Sequence, residues 1–312
     1  MPPPAPKPKQ NKPSGVVKLV RPLPKVEVIP GHILTEKIAM GGCASVFKAV
    51  ETSTGGARAI KILFPRYADK PQWVHRFLSE GKLLTELSHP HVVKGYGYGT
   101  VGVMSYLIME YFPGSSVQEL MEFWGGALSE KPALSVLVQI AKALDYMHSR
   151  GLVHRDIKPG NVLVNDVNDK QVAKLCDLGL AAELIGGKLP KHMTAGTPVY
   201  MAPEQAKGEG MDARADIYAL GGTLFHMVTG IMPVNDPTNP EVRRKAVIEG
   251  IKYAEKRYAG LSTAVQYYIL RCLAKDPSKR FSKVSHLVKE MQMYLDGMRT
   301  FTTEARELLQ GE

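Results

Sequence analysis

A chain of 312 residues with 44% apolar and 22% charged side chains can bury a full core, so a wholly disordered protein is excluded and one large or two moderate domains are expected. No apolar run reaches the roughly eighteen residues that a membrane helix needs, and Met1–Lys7 lacks the apolar stretch of a secretory leader, so no membrane span is expected. The formal charge, 40 − 30 = +10, raises nucleic acid as a partner, but half of it sits at one end.

Residues 1–30 hold Lys7, Lys9, Lys12, Lys18, Arg21 and Lys25 against Glu27, a local 6 − 1 = +5, together with nine prolines. Such a segment buries too little apolar surface to fold. It reads as a disordered basic tail, either solvated or docked on an acidic partner. The remaining +5 carries no nucleic-acid-binding motif, and no nucleic acid is expected. Cys43, Cys176 and Cys272 are far apart and odd in number, which fits neither a disulfide framework nor a zinc site and suits a reducing cytoplasm.

After the tail, Ile33–Val50 and Ala57–Leu63 read as β-rich, joined by a turn at Ser53-Thr54-Gly55-Gly56. Trp73, Phe77, Glu80, Leu84 and Leu87 recur at helical spacing, and Ser88-His89-Pro90 stops that helix. Two short strands follow, the second Tyr106–Glu110, and Pro113-Gly114-Ser115-Ser116 breaks the pattern as a boundary. Beyond it Leu134, Leu137, Ala141, Leu144 and His148 share one helix face, with Gly151 as the C-terminal stop. Asp216–Thr229 is apolar nearly all round, the mark of a buried central helix. The fold class expected is α+β: a small β-rich lobe with one helix at 31–112, a larger, mainly helical lobe at 113–296, and a helical extension at 297–312.

The most specific segment is His154-Arg155-Asp156-Ile157-Lys158-Pro159-Gly160-Asn161, between a helix and the strand-like Val162-Leu163-Val164. Cys176-Asp177-Leu178-Gly179 follows at the end of another short apolar run. Two carboxylates and an amide at the ends of paired strands can hold Mg²⁺ and position a hydroxyl. Chance surface polarity rarely gives these offsets.

Here the sequence resembles the eukaryotic-like Ser/Thr protein kinases of bacterial type, from about Ile33 to about Leu295. The resemblance implies the two-lobed kinase fold, ATP as the phosphoryl donor, Mg²⁺ (or Mn²⁺) and protein substrates. It makes Asp156 the catalytic base, Asn161 and Asp177 the metal ligands, and Lys158 the neutraliser of the transferred phosphoryl group. Arg155 would tie the catalytic loop to the activation segment. Arg58-Ala59-Ile60-Lys61 matches the strand whose Lys grips the ATP phosphates, with Glu80 as its orienting partner.

The glycine-rich pattern aligns on Ala39-Met40-Gly41-Gly42-Cys43-Ala44-Ser45-Val46 and departs from the family, since alanines replace the outer glycines. On this reading Ala39, Gly41, Gly42 and Ala44 cover the phosphates, and Val46 and Ala59 sandwich the adenine. Glu110 and Phe112 offer hinge backbone groups. Gly196-Thr197-Pro198-Val199-Tyr200-Met201-Ala202-Pro203-Glu204 resembles the end of an activation segment, which small-molecule kinases lack. There the Thr197 hydroxyl could bridge Asp156 and Lys158. Asp216 and Arg280 resemble structural residues, the second a buried partner of Glu204.

The competing readings are a pseudokinase scaffold, supported only by the missing glycines, and a small-molecule kinase. A P-loop NTPase is excluded, because no G-x-x-x-x-G-K-[ST] occurs. Three finer expectations remain. The activating phosphate of the family falls on Met193 by position, so Thr194, the nearest hydroxyl, is expected to carry it and pair with Arg155. Cys43 is expected to be the accessible thiol beside the nucleotide. Gly160, Ser116 and His226 occupy positions that are acidic in arginine-selecting kinases, while Lys188, Lys191 and His192 form a basic arm, so acidic or neutral acceptor sequences are expected.

Overall fold

The computed structural model describes residues 27–167, 170–191, 195–233 and 260–298; residues 1–26 of the basic tail, Thr194, His192 and all but the start of the C-terminal extension lie outside the described residues. β1 (Glu27–Ile29), β2 (His32–Met40), β3 (Ala44–Glu51), β4 (Ala57–Leu63), β5 (Gly95–Val101) and β6 (Met104–Glu110) form one sheet in the order β1-β2-β3-β4-β6-β5. Every neighbouring pair in it is antiparallel. The turn between β3 and β4 closes on Gly55, whose φ of 72° a side chain would resist.

α1 (Pro71–Glu86) lies on this sheet and buries Phe77, Glu80, Gly81 and Leu84, the face that the periodicity predicts. Gly81 fixes how close it sits: a Cβ there would stand 2.6 Å from the Cβ of Tyr98 and would strike Leu107. The close seating is what carries the Glu80 carboxylate inward, over β4.

The second lobe starts at the expected break, which is not featureless. Ser115–Ser116 forms β7 and pairs with β9 (Val162–Val167), and Ser116 caps α2 (Val117–Phe123) in a full capping box with Glu119. α3 (Glu130–His148) ends two residues before Arg150, and Gly151, at φ 72°, turns the chain into β8 (Leu152–Val153). β10 (Lys170–Leu175) pairs with β9, and β11 (Ala182–Glu183) with β8. Then come α4 (Pro203–Lys207), α5 (Arg214–Thr229), α6 (Thr263–Cys272) and α7 (Val284–Leu295). α5 is buried without interruption from Ala215 to Val228, so apolar residues on all its sides meet α3, α6 and the segment that carries Asp156. The protein is thus two-lobed, β-rich then helical, as the resemblance implies. No described helix is long and apolar enough to cross a membrane.

Candidate active site

Lys61, in the middle of β4, donates to both oxygens of Glu80, at 2.7 and 3.0 Å, and to Oδ1 of Asp177 at 3.0 Å. The contact therefore joins strand, helix and second lobe. Burial works against the ammonium, but the two carboxylates outweigh it and hold Lys61 protonated above the ordinary lysine range. Burial also pushes Asp177 up, yet Lys61 and the Gly179 amide pull its carboxyl down to about 2. One cation thus keeps Asp177 ionised.

Between β8 and β9 the chain makes the loop that carries Asp156. Arg155 and Asp177 are the two non-glycine residues with left-handed backbones among the described residues, at φ 67° and 62°. Such conformations are strained and persist only where neighbours hold them. For Arg155 the holder is Asp216 in the first turn of α5, which accepts from the amides of His154 at 2.9 Å and Arg155 at 2.8 Å, and contacts His148 Nε2 at 2.8 Å. Burial alone would raise the Asp216 carboxyl; the hydrogen bonds from His148 and the loop amides reverse the sign and lower it.

Four hydrogen bonds hold the Asp156 carboxylate. Its Oδ1 accepts the Thr197 amide at 2.9 Å and the Thr197 hydroxyl at 2.6 Å; its Oδ2 accepts Lys158 at 2.8 Å and the Asn161 amide at 3.0 Å. Lys158 also donates to Thr197 Oγ1 at 2.7 Å, so the expected bridge is present. Burial disfavours the Asp156 charge, but Lys158 and Thr197 hold the carboxyl below its usual range.

Asn161 spends its N–H groups on Asp156, leaving its side-chain oxygen available, and its backbone carbonyl accepts the Cys176 amide at 3.0 Å, which brings it beside Asp177. The Asp177 side chain is 47% exposed and uses Oδ1 for Lys61 and the Gly179 amide, and no hydrogen bond to its Oδ2 is found among the described residues. Two hard oxygen donors fit Mg²⁺. No group of three or more His, Cys, Asp or Glu converges among the described residues, so an ion held here would complete its shell with water and phosphate oxygens.

The turn from β2 to β3 closes with the Gly41 amide donating to the Ala44 carbonyl at 2.9 Å, and Ala39 pairs with Val46. A Cβ on Gly42 would touch nothing within 4 Å, so packing within the protein does not demand glycine there and the space it leaves is free for a phosphate. Ala44 points the other way. It is 2% exposed and packs with Leu63, Phe77 and Leu107, so only its backbone faces the turn. Val46 and Ala59 stand on adjacent strands, Ala59 buried. At the hinge, the Glu110 carboxylate accepts the Lys94 amide and Lys174 Nζ. The Phe112 carbonyl is taken by the Gly114 amide at 2.9 Å, which leaves its N–H as the free group.

Cys43 ends this turn half-buried. Burial pushes its thiol up, Lys61 opposes, and Glu80 and Asp177 add to the rise. Cys176 and Cys272 are pushed up to about 12 by burial. Alkylation of Cys43 is therefore expected to be slow at neutral pH, to quicken past the ordinary thiol value of 9.0, and to be slowed by saturating Mg-ATP. Equal rates with and without nucleotide, read by mass spectrometry of the labelled peptide, would disprove its proximity.

Arg155 donates through Nε to the Leu180 carbonyl at 2.6 Å, and its Nη1 is buried with no partner among the described residues. Burial and the nearby Arg76 cation both work against its charge. Arg76 itself, on α1, donates to the Gly179 carbonyl at 2.9 Å, a link that no local pattern announces. Gly196 allows the segment to pass here: its φ is 139° and a Cβ would stand 2.6 Å from the Arg155 carbonyl. Gln205 donates to the Ala195 and Arg155 carbonyls. Glu204 is gripped by Arg280 in two bonds of 2.7 and 2.8 Å.

Of the three acceptor-groove positions, Gly160 is open, Ser116 is spent on its helix cap, and His226 is only 4% exposed, its Nδ1 2.6 Å from the Tyr200 hydroxyl. Burial lowers the basicity of the His226 ring.

A family model described as the protein kinase domain matches residues 33–293. The chain is 32% identical over 266 residues to the serine/threonine-protein kinase Pkn1 of Myxococcus xanthus, covering 84% of this chain and 38% of that one. It is 30% identical over 270 residues to the serine/threonine-protein kinase PknB of Mycobacterium tuberculosis, covering 83% and 42%. A probable serine/threonine-protein kinase of Clostridium acetobutylicum is 30% identical over 259 residues, 83% and 39%. The chain thus spans about two fifths of the length of these relatives.

Proposed function

Since the chain belongs to the protein kinase family, we propose that it transfers the γ-phosphoryl group of ATP to Ser and Thr hydroxyls of protein substrates, its own included. The observation that carries this reading is the unbroken polar network of Lys61–Glu80–Asp177 on one side and Asp156–Lys158–Thr197–Asn161 on the other. A scaffold would be free to lose Lys61, Asp156 or Asp177. All three are present and paired.

Lys61, kept protonated by its two carboxylates, takes the ATP phosphates. Asn161 and Asp177 hold Mg²⁺, with Mn²⁺ as the alternative; the bound ion supplies charge neutralisation to the phosphates. Asp156, a weak base because its carboxyl is held low, aligns the acceptor hydroxyl and takes its proton late in the transfer. Lys158 meets the charge on the transferred group, and Thr197 fixes both side chains. The Gly41–Gly42 amides, with Ala39 and Ala44 contributing backbone, cover the phosphates. Val46 and Ala59 enclose the base, and the Glu110 carbonyl and Phe112 amide read its edge. The division into lobes at Phe112–Pro113 belongs to the same reading, as does a reducing, cytoplasmic location inferred from three free thiols.

The buried, unpartnered Nη1 of Arg155 supports an anion arriving from the activation segment, and Thr194 is our candidate for phosphorylation. The acceptor groove has no carboxylate at Gly160, Ser116 or His226, which supports acceptors without upstream arginine. Radiolabelled ATP tests these together, with the chain itself and a positional-scanning peptide array as acceptors. Incorporation into both, lost in Asp177→Ala, is expected, with a flat or acidic profile and phosphate on Thr194. No transfer at all would overturn the reading. Strong selection for arginine two or three residues upstream would overturn the specificity alone.

A further inference from the structure

α2 ends on two aromatic rings that the other described residues leave bare. Phe123 and Trp124 are each 57% exposed, and among the described residues no cation stands over either ring. Some other rings are covered: Arg58 and Lys94 stand over the exposed Tyr96, and Lys48 and Arg150 over the half-buried Tyr111 and Tyr146, whereas Tyr98, 42% exposed, has no cation among the described residues. Gly95–Glu130, 130 − 95 + 1 = 36 residues, is the longest stretch of the chain without Lys or Arg, yet it contains Glu110, Glu119, Glu122 and Glu130. In a chain of net charge +10, the exposed Glu119 and Glu122 beside Phe123 and Trp124 make an acidic, aromatic patch.

Residues 1–26 are its chemical complement. They contain six cations, no carboxylate side chain and eight prolines, with lysine and proline alternating at Pro6-Lys7-Pro8-Lys9. We propose that this segment docks in cis on the end of α2, with proline rings and lysine stems against Phe123 and Trp124 and ammonium groups toward Glu119 and Glu122. Proline lies flat on an aromatic ring and has little backbone freedom to lose. The lysines supply the cations that these two rings lack. Reach is ample: 26 residues extended at about 3.1 Å each span about 80 Å, against roughly 50 Å across a domain of this size. Exposed ion pairs are weak singly, so the docked state depends on several together and is salt-sensitive. The acidic partner expected for the tail is thus part of the same chain.

Limited trypsin digestion of the full chain at low salt, followed at Lys9 and Lys18, tests this against a synthetic peptide of residues 1–26 as the undocked standard. Cleavage in the full chain is expected to be about tenfold slower than in the peptide. The double substitution Glu122→Lys with Trp124→Ala, at two exposed positions, is expected to restore the peptide rate, and so is about 0.5 M salt. Equal rates in the wild-type chain and the peptide would overturn docking. Protection that survives the double substitution would overturn the site. Protection that grows with protein concentration would overturn docking in cis and assign the tail to a second copy.

Discussion

Asp156→Asn is expected to lower phosphotransfer by about a thousandfold, within the range that a positioned acid–base group supplies, while the melting temperature hardly moves. Asparagine keeps the shape and still accepts the Thr197 amide and hydroxyl through one oxygen. It loses the charge that aligns the acceptor hydroxyl and takes its proton. The fold loses little, because the Lys158 side chain, 27% exposed, can turn to water once the charge opposite it is gone. Initial rates at saturating ATP and acceptor, set beside a thermal melt, separate the two effects. A variant with near wild-type kcat would remove Asp156 from the base's role, and a large drop in melting temperature would make it a structural residue.

Glu204→Ala is expected to do the opposite and cost about 3–5 kcal/mol of stability, the penalty for leaving a buried charge without its partner. Arg280 has a fully buried side chain, and a guanidinium cannot shed its proton to escape. Its remaining bonds, to the carbonyls of Ala274, Arg214 and Lys275, cannot neutralise it. At roughly 2–4 °C per kcal/mol for a domain of this size, the melt should fall by about 10 °C. Replacing both partners by apolar residues, Glu204→Leu with Arg280→Met, should recover much of the loss, since no orphaned charge remains. Equal melting of the single and double variants would show that the side-chain volume, not the charge, matters.

Much of the site was legible because its residues lie close in sequence. Asp156, Lys158 and Asn161 fall within one six-residue segment, and Asp177 stands two residues past the end of β10, so fixed offsets carry the information. Lys61 and Glu80 were legible for a different reason: a strand pattern places one and a helical period places the other on the inward face. What the sequence did not disclose is direction and long-range contact. Ala44 occupies a phosphate-loop position, yet its methyl group packs into the core, since a turn gives no periodicity from which to read a facing. α2 went unread because Pro113-Gly114 dominated the pattern, although Ser116 and Glu119 spell a capping box. Arg76 meets Gly179 across more than a hundred residues, and His226 lies under Tyr200; neither contact has a local signature.

α5 has one more consequence. Asp216 in its first turn holds the loop that bears Asp156, and His226 in its last turn contacts the Tyr200 hydroxyl, which we propose belongs to the acceptor platform. Ten residues of helix separate these two points, about 15 Å at 1.5 Å per residue. A helix buried on every side neither bends nor changes pitch with the solvent, so it works as a gauge block. On the proposed reading, the spacing between the group that receives a proton and the surface that presents the hydroxyl is set by secondary structure. Acceptor sequences can therefore be traded at the exposed rim, at Gly160 for instance, without recalibrating the chemistry beneath.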